Sequence, residues 1–371
     1  MLLKDICEIT SGQNAPQKQE DYTNDGYPFI KVSNLDLIIE EGNENSASRI
    51  SSEAVKKYKL KLYPANSIIF AKSGLSCVKN RVYMLKNPAY VVNHLCVLYD
   101  IKKQFDPEWL AYFIKAFDVT NLINDFSYPS IQLKEVGNIN IPEIDLNDQK
   151  KIVREIHNIE SCLSNKRSSL KYLDDAIKSK FNSLFSSCEK IQLCEIAKIT
   201  MGQSPESASY NDEGNGMPFF QGKADYGTKF TIVKHWTTSP KKIVEKGVVL
   251  MSVRAPVGPV NISSAKCCIG RGLCGIDAIK ERTNNEFLFN ALKTMEDEIA
   301  EMGNGSTFKA INKDDVYKLL IPNAPINVQN EFSKYSENID GAKEVLRKQI
   351  GDLEELLSLK MFEHFIKHIK Q

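Results

Sequence analysis

Asn87-Pro88-Ala89-Tyr90 is the nearest approach in this sequence to the Asn-Pro-Pro-aromatic pattern with which a methyl-transferring enzyme orients a target amino group. It lacks the second proline, runs into a strand-like YVVNHLCVLYD segment and has no Gly-rich cofactor loop upstream, so it reads as a turn between strands. A nuclease would need clustered carboxylates with a lysine at short spacing. Asp174-Asp175 and Asp314-Asp315 are adjacent pairs on predicted helices, where neighbours do not face each other, and they read as solvated charge. His94 is the natural general base, yet a lone histidine in an apolar run is ordinarily packed and hydrogen-bonded. Gly303-Asn304-Gly305-Ser306 is glycine-rich but lacks the Gly-Lys-Ser/Thr that completes a phosphate loop. The nine cysteines include no CxxC pair. Their closest cluster, Cys267, Cys268 and Cys274, lacks the second pair a zinc site requires and reads as buried, reduced thiols. No catalytic residue, cofactor site or metal site is assigned.

The elements that position these residues come from an internal repeat. LKDICEITSGQ at 3–13 matches LCEIAKITMGQ at 193–203 at Leu3/Leu193, Ile6/Ile196, Ile9/Ile199, Thr10/Thr200, Gly12/Gly202 and Gln13/Gln203. The register holds to Gly26/Gly216, Pro28/Pro218 and Phe29/Phe219. Ser67-Ile-Ile-Phe70 then aligns with Gly247-Val-Val-Leu250, which leaves about ten extra residues in the first copy between about 36 and 62. Asp106-Pro-Glu-Trp-Leu110 aligns with Asn284-Asn-Glu-Phe-Leu288, and each reads as a helix start with Asp or Asn as N-cap. Val136, Ile141-Pro142, Asn147 and Gln149 align with Val316, Ile321-Pro322, Asn327 and Gln329.

Each half mixes β-rich runs with Gly, Pro and Asn punctuation and then ends in a proline-free segment, 149–185 or 329–369, with apolar residues three and four apart. Ile152, Ile156, Ile159, Leu163, Leu170, Leu173, Ile177, Phe181 and Leu184 form one stripe; Phe332, Tyr335, Ile339, Leu346, Ile350, Leu353, Leu357, Met361 and Phe365 form the other. At about 1.5 Å per residue each helix is about 55 Å long, and stripes of this length predict a coiled-coil seam. Asn147 and Asn327 are the expected caps. Two readers held apart by such rods suit a two-part duplex site, whose related surfaces recur about every 34 Å.

The 371 residues, 42 % hydrophobic and 26 % charged, exclude a disordered or collagen-like chain. Lys plus Arg (48) nearly cancels Asp plus Glu (47), so a polyanion must be met by local patches. The N-terminus has no basic segment followed by an apolar stretch, and no run reaches the roughly 18 apolar residues of a membrane span. The expected location is cytoplasmic, with no membrane partner.

The twice-repeated order of an L-x-(D/E)-I…T-x-G-Q opening, a G-x-P-F segment, a closing Ile-Pro, Asn-x-Gln and a long helix resembles the specificity subunit of type I restriction-modification enzymes over essentially the whole chain. The resemblance implies an α+β fold. Two duplicated α/β target-recognition domains, 1–146 and 188–326, are joined by long spacer helices, 147–187 and 327–371, that form an antiparallel coiled coil with pseudo-twofold symmetry. It implies a non-catalytic DNA-binding subunit in which each domain reads half of a bipartite target. The helices set the spacer and dock two methyltransferase subunits, and restriction subunits are optional further partners. S-adenosylmethionine, ATP and Mg are then expected on the partners. A coiled-coil protein scaffold and a methyltransferase in its own right are the competing readings. The first has no need of two loop-rich domains, and the second lacks the motifs above.

Base edges in the major groove are read by Arg, Lys, Asn and Gln, and phosphates by Lys, Arg, Ser, Thr and backbone amides. On loops that leave strands, the expected DNA contacts in the first domain are Lys31, Ser33, Asn34, Lys72, Ser73, Lys79 and Arg81. In the second they are Gln221, Lys223, Arg254, Arg271, Ser306, Thr307 and Lys309. Because AKSG faces MSVR and KVSN faces QGKA, the two half-sites are expected to differ. Lys166, Arg167, Lys171, Lys343, Arg347 and Lys348 are expected on exposed faces of the long helices.

Overall fold

The computed structural model describes residues 1–303 and 310–367. The chain divides into two compact units: Met1–Asn165 with the segment from Gln349 onward, and Lys166–Lys348.

In the first unit the β-branched and aromatic runs become short strands. These are β1 (Glu8–Ser11), β2 (Tyr22–Ile30), β3 (Arg49–Ile50), β4 (Ile68–Ala71), β5 (Val82–Met84), β6 (Tyr90–Val91) and β7 (Leu95–Tyr99). A four-stranded antiparallel sheet has the order β1-β7-β4-β5, and a three-stranded sheet has the order β3-β2-β6 with β2 and β6 parallel. Helices α1 (Leu35–Glu41) and α2 (Ser52–Tyr58) fill the stretch that the first repeat has in excess. Helix α3 (Pro107–Phe117) is capped by the Asp106 carboxylate, which accepts the Glu108 and Trp109 N–H groups, and it buries Trp109, Leu110, Phe113 and Ile114. A short α4 (Leu133–Gly137) precedes the first long helix, α5 (Leu146–Phe185). Asn87 lies in the bend between β5 and β6, where its amide donates to the buried Glu44 carboxylate at 3.0 Å, so the segment is a turn as expected.

The second unit repeats the plan. Its strands are β8 (Lys190–Gln192), β9 (Ala197–Met201), β10 (Tyr210–Asn211), β11 (Met217–Phe220), β12 (Trp236–Thr237), β13 (Ile243–Val244), β14 (Val249–Ser252), β15 (Val260–Ile262), β16 (Cys267–Ile269), β17 (Leu273–Ala278) and β18 (Leu320–Pro322). Its helices are α6 (Leu193–Ile196), α7 (Asn285–Thr294), α8 (Glu296–Met302) and α9 (Lys313–Tyr317), and it opens the second long helix, α10 (Ile326–Met361), whose residues from Gln349 on, with the π-helical turn Phe362–Ile366 that continues it, belong to the first unit. The order β15-β14-β17-β9 repeats the first four-stranded sheet, and the parallel pair β11/β16 repeats β2/β6. Asn284 caps α7 as Asp106 caps α3.

The ladders correct one alignment. Ser11 and Met201 pair with Cys96 and Cys274, and across the same sheet those cysteines pair with Phe70 and Met251. Phe70 is therefore the counterpart of Met251 and not of Leu250, a slip of one residue that sequence similarity between two apolar runs does not detect.

The helix starts are corrected as well. The Asp145 carboxylate accepts the Asn147 N–H at 2.8 Å and its carbonyl accepts the Gln149 N–H, so Asp145 and not Asn147 closes the first turn. At α10 the Pro325 carbonyl accepts from Val328 and Gln329, which places Asn327 inside the helix.

Each unit contains half of each long helix. In the first, Ile152, Val153 and Ile156 of α5 share a core with Phe365, which packs on Trp109 and Phe113 with ring centroids 6.0 and 6.4 Å away. Glu155 meets Lys360 and His364 there. In the second, Phe181 and Phe185 pack against Phe287 and Phe332. Asp174 contacts Lys343 and Phe181 contacts Phe332, so rising numbers on α5 meet falling numbers on α10 and the helices pair antiparallel. Lys343 departs from the expected exposed face. It is 8 % exposed and bonds Asp174 and Asp340 at 2.6 and 2.9 Å, so Asp174 is an ion-pair partner and not merely solvated.

Candidate nucleic-acid interface

In the first domain the carboxyl ends of β1, β2, β4 and β6 converge through backbone hydrogen bonds. The Ile30 carbonyl accepts from Val92 N–H at 3.0 Å, Val91 accepts from Gln13 at 2.7 Å, and Gln13 accepts from Asn93 at 2.8 Å. Lys72 N–H donates to the His94 carbonyl at 2.9 Å, and the Lys72 carbonyl accepts from Ile131 at 2.8 Å. Gly12 makes this packing possible, since a Cβ there would lie 2.2 Å from the Val91 and Val92 carbonyl oxygens. Four segments thus meet through their main chains: Gln13-Asn14, Lys31, Lys72-Ser73 and Asn93-His94.

Of the expected contacts, Lys31, Lys72 and Ser73 belong to this cluster. Lys31 Nζ lies 4.5 Å from the Tyr22 ring centroid, and the Asn34 carboxamide oxygen accepts the Lys31 N–H at 2.8 Å, which partly commits Asn34 to its own turn; Ser33 beside it is exposed. Lys79 is exposed just after the 3-10 turn Leu75–Val78. Arg81 is engaged within the protein. Its side chain is 12 % exposed, bonds Asp36 at 2.8 Å and donates to the Ser76 carbonyl, tying that turn to α1. The Arg81 hydrogen bond holds the Asp36 carboxyl below its ordinary value.

Asn14, Asn93 and His94 stand at this junction and were not selected by sequence reasoning, whereas the Gln13 carboxamide is committed to the protein, its oxygen accepting the Lys61 N–H and its nitrogen donating to the Lys59 carbonyl. His94 is exposed in the turn between β6 and β7, where Nδ1 sits 2.7 Å from Ser73 Oγ, and is not packed in a strand. Asn93 donates to Asn14 at 2.7 Å. The available signal was the repeated Gln13/Gln203 itself.

The second domain builds the same junction. Phe220 accepts from Gly270 at 2.8 Å, Ile269 from Gln203 at 3.0 Å, and Gly272 from Val253 at 2.9 Å, while Val253 accepts from Ile311 at 3.0 Å. Gly202 repeats the role of Gly12, with a Cβ position 2.1 Å from the Gly270 carbonyl oxygen. Gln221, Lys223, Arg254 and Arg271 are all exposed on or beside these strand ends. Asp225 fixes the Gln221 turn by accepting its N–H at 2.6 Å, and Ser204 Oγ accepts the Arg271 N–H at 3.2 Å. Ser306, Thr307 and Lys309 lie outside the described residues, as does most of the glycine-rich stretch that begins at Gly303.

Behind both junctions the strands carry equivalent buried thiols. Burial raises Cys96 above the ordinary thiol value and pushes Cys274 up to about 12, so both stay protonated and pack as small apolar groups. All nine cysteines are free, and among the described residues no group of three or more His, Cys, Asp or Glu side chains is arranged to hold a metal ion. Cationic and amide groups on strand-end loops can bond phosphates and base edges.

A family model described as the type I restriction modification DNA specificity domain matches residues 1–172 and again 186–355. A Methanocaldococcus jannaschii chain described as the MjaX type I restriction enzyme specificity subunit is 32 % identical over 387 aligned positions, covering 95 % of this chain and 89 % of that one. A solved chain from a study of type I restriction-modification assembly has a TM-score of 0.66 at 24 % identity, covering 98 % of this chain and 96 % of that one. The S subunit of a type I system from M. genitalium has a TM-score of 0.60 at 16 % identity, covering 98 % and 95 %. The two solved structures bear on the fold; the family match to both halves and the near full-length relative decide the family. With the same strand-end junction built into each matched half, this chain belongs to the specificity subunits of type I restriction-modification systems.

Proposed function

We propose that this chain supplies the sequence recognition of a type I restriction-modification complex, each globular domain reading one half of a bipartite, asymmetric double-stranded DNA target. The supporting observation is the duplicated junction, in which equivalent backbone hydrogen bonds carry different side chains in the two halves. Residues 1–146 and 188–326 act as readers, while 147–187 and 327–371 act as spacer helices. The contacts are Lys31, Ser33, Lys72, Ser73 and Lys79 with Asn14, Asn93 and His94 in the first domain, and Gln221, Lys223, Arg254 and Arg271 in the second.

Two methyltransferase subunits dock on the long helices, with restriction subunits as optional members. Tyr172 and Val345 in one unit, and Leu356, Leu359 and Phe362 in the other, leave large apolar side chains exposed on those helices, as a partner surface requires. Methyl transfer and ATP-driven cleavage, with S-adenosylmethionine, ATP and Mg, belong to those partners. Among the described residues no helix is long and apolar enough to cross a membrane.

Long-read methylation calling on the host genome, with and without this gene, tests the proposal. Loss of one two-part motif is expected. A palindromic motif would overturn the asymmetry, and an unchanged methylome in cells expressing the protein and a methyltransferase would overturn the function.

A further inference from the structure

At two of the positions where the equivalent junctions differ, the second domain places an arginine where the first has a smaller polar side chain. Ser73 and Arg254 both follow a residue that bonds the next loop, and they bridge Ser130 and Ala310 respectively. Asn93 and Arg271 both stand two residues before a leucine, Leu95 or Leu273, whose carbonyl accepts the N–H of Gly12 or Gly202. The main chain therefore offers each pair of side chains from the same place in its own domain. In the first domain these side chains are satisfied locally, Ser73 by His94 and Asn93 by Asn14. In the second, both arginines are exposed, and neither guanidinium has an ion pair or hydrogen bond among the described residues. Arg81 and Arg282, by contrast, are engaged with protein acceptors.

A guanidinium offers five donors in a rigid fork and no acceptor. On a base edge it matches the O6 and N7 acceptors of guanine and repels the amino groups of adenine and cytosine. We infer that Arg254 and Arg271 are specificity-determining residues, each fixing one G·C pair in the half-site read by the second domain. At the corresponding places the first domain offers Ser73 and Asn93 and does not select guanine in this way. This assignment rests on the DNA-recognition function proposed above.

The test is long-read methylation of a host carrying the full-length chain, or its R254A, R271A, R254Q or R271Q variant, with the native methyltransferase. Each alanine variant relaxes discrimination at one G·C position of the second half-site by on the order of tenfold or more. Each Gln variant shifts preference there towards adenine, and the first half-site is unchanged. Uniformly weaker methylation with an intact motif would assign the arginines to phosphates and overturn the inference, as would an unchanged motif. For a variant that abolishes methylation, binding of the purified full-length chain to duplexes differing at single base pairs gives the same two outcomes. Deletion of the gene separates this inference from the function it rests on. If deletion removes a motif whose second half has fewer than two G·C pairs, only the arginine assignment fails; if it removes no motif, the function fails.

Discussion

The carboxamide oxygen of Gln149, at the start of the first long helix, accepts the backbone N–H of Asp106, the cap of α3, at 2.8 Å. Its amide nitrogen donates to the Gln104 and Ile144 carbonyls, and Gln329 makes the same knot by accepting from Thr283 Oγ1 and donating to the Arg282 and Ala324 carbonyls. These carboxamides are 0 % and 2 % exposed, and each couples the direction of a long helix to the domain in front of it.

Gln149→Ala leaves the Asp106 N–H and two carbonyls without their partner in a buried site, at a cost of about 2–3 kcal/mol. Hydrogen exchange resolved along the chain checks this. Protection is expected to fall at the starts of α3 and α5 and to remain unchanged in Lys166–Lys348, with the mirrored result for Gln329→Ala.

The charge cluster of Lys229, Glu286, Asp340 and Lys343 sets a pH window for the second unit. Burial alone would raise the Asp340 carboxyl, but hydrogen bonds from Lys229 and Lys343 outweigh it and hold the group below 3.8. Burial alone would lower Lys229, but Glu286 and Asp340 outweigh it and hold the amine above 10.5. A carboxyl lowered in the folded state adds stability that is present above its unfolded pKa and lost as pH falls through the folded value. An amine raised in the folded state adds stability that is present below its unfolded pKa and lost as pH rises through the folded value. The cluster is therefore stabilising between about pH 4 and pH 10. Lys343→Met is expected to move the acid edge of unfolding to higher pH, measured by circular dichroism across an acid titration.

Gly12→Ala and Gly202→Ala force a methyl group against backbone oxygens that cannot yield without separating strand ends. Each is expected to cost about 1–3 kcal/mol and to impair reading of one half-site only. Thermal unfolding, together with binding to duplexes carrying either half-site, measures both effects.

Lys72 and Arg81 are both basic and only nine positions apart, yet opposite outcomes are expected. Lys72→Ala lowers DNA affinity and reduces the salt slope by about one, leaving thermal stability unchanged. Arg81→Ala removes the tie to Asp36 and the bond to the Ser76 carbonyl and lowers the melting temperature, leaving the salt slope unchanged. Salt-dependent binding and thermal melts on the same samples separate the two.

The sequence by itself determined the duplication, the two long helices and the N-caps at Asp106 and Asn284, because periodicity and capping chemistry are local. It pointed to the strand-end loops for the same reason: Lys31, Lys72, Gln221, Arg254 and Arg271 each follow a legible apolar run. Tertiary structure alone decided that Phe70 matches Met251, that Lys343 is buried between Asp174 and Asp340, and that Arg81 belongs to Asp36. It also brought Asn93 to Asn14 and His94 to Ser73. Those relationships depend on sheet register and on contacts between residues far apart in the chain, and neither leaves a mark in local spacing.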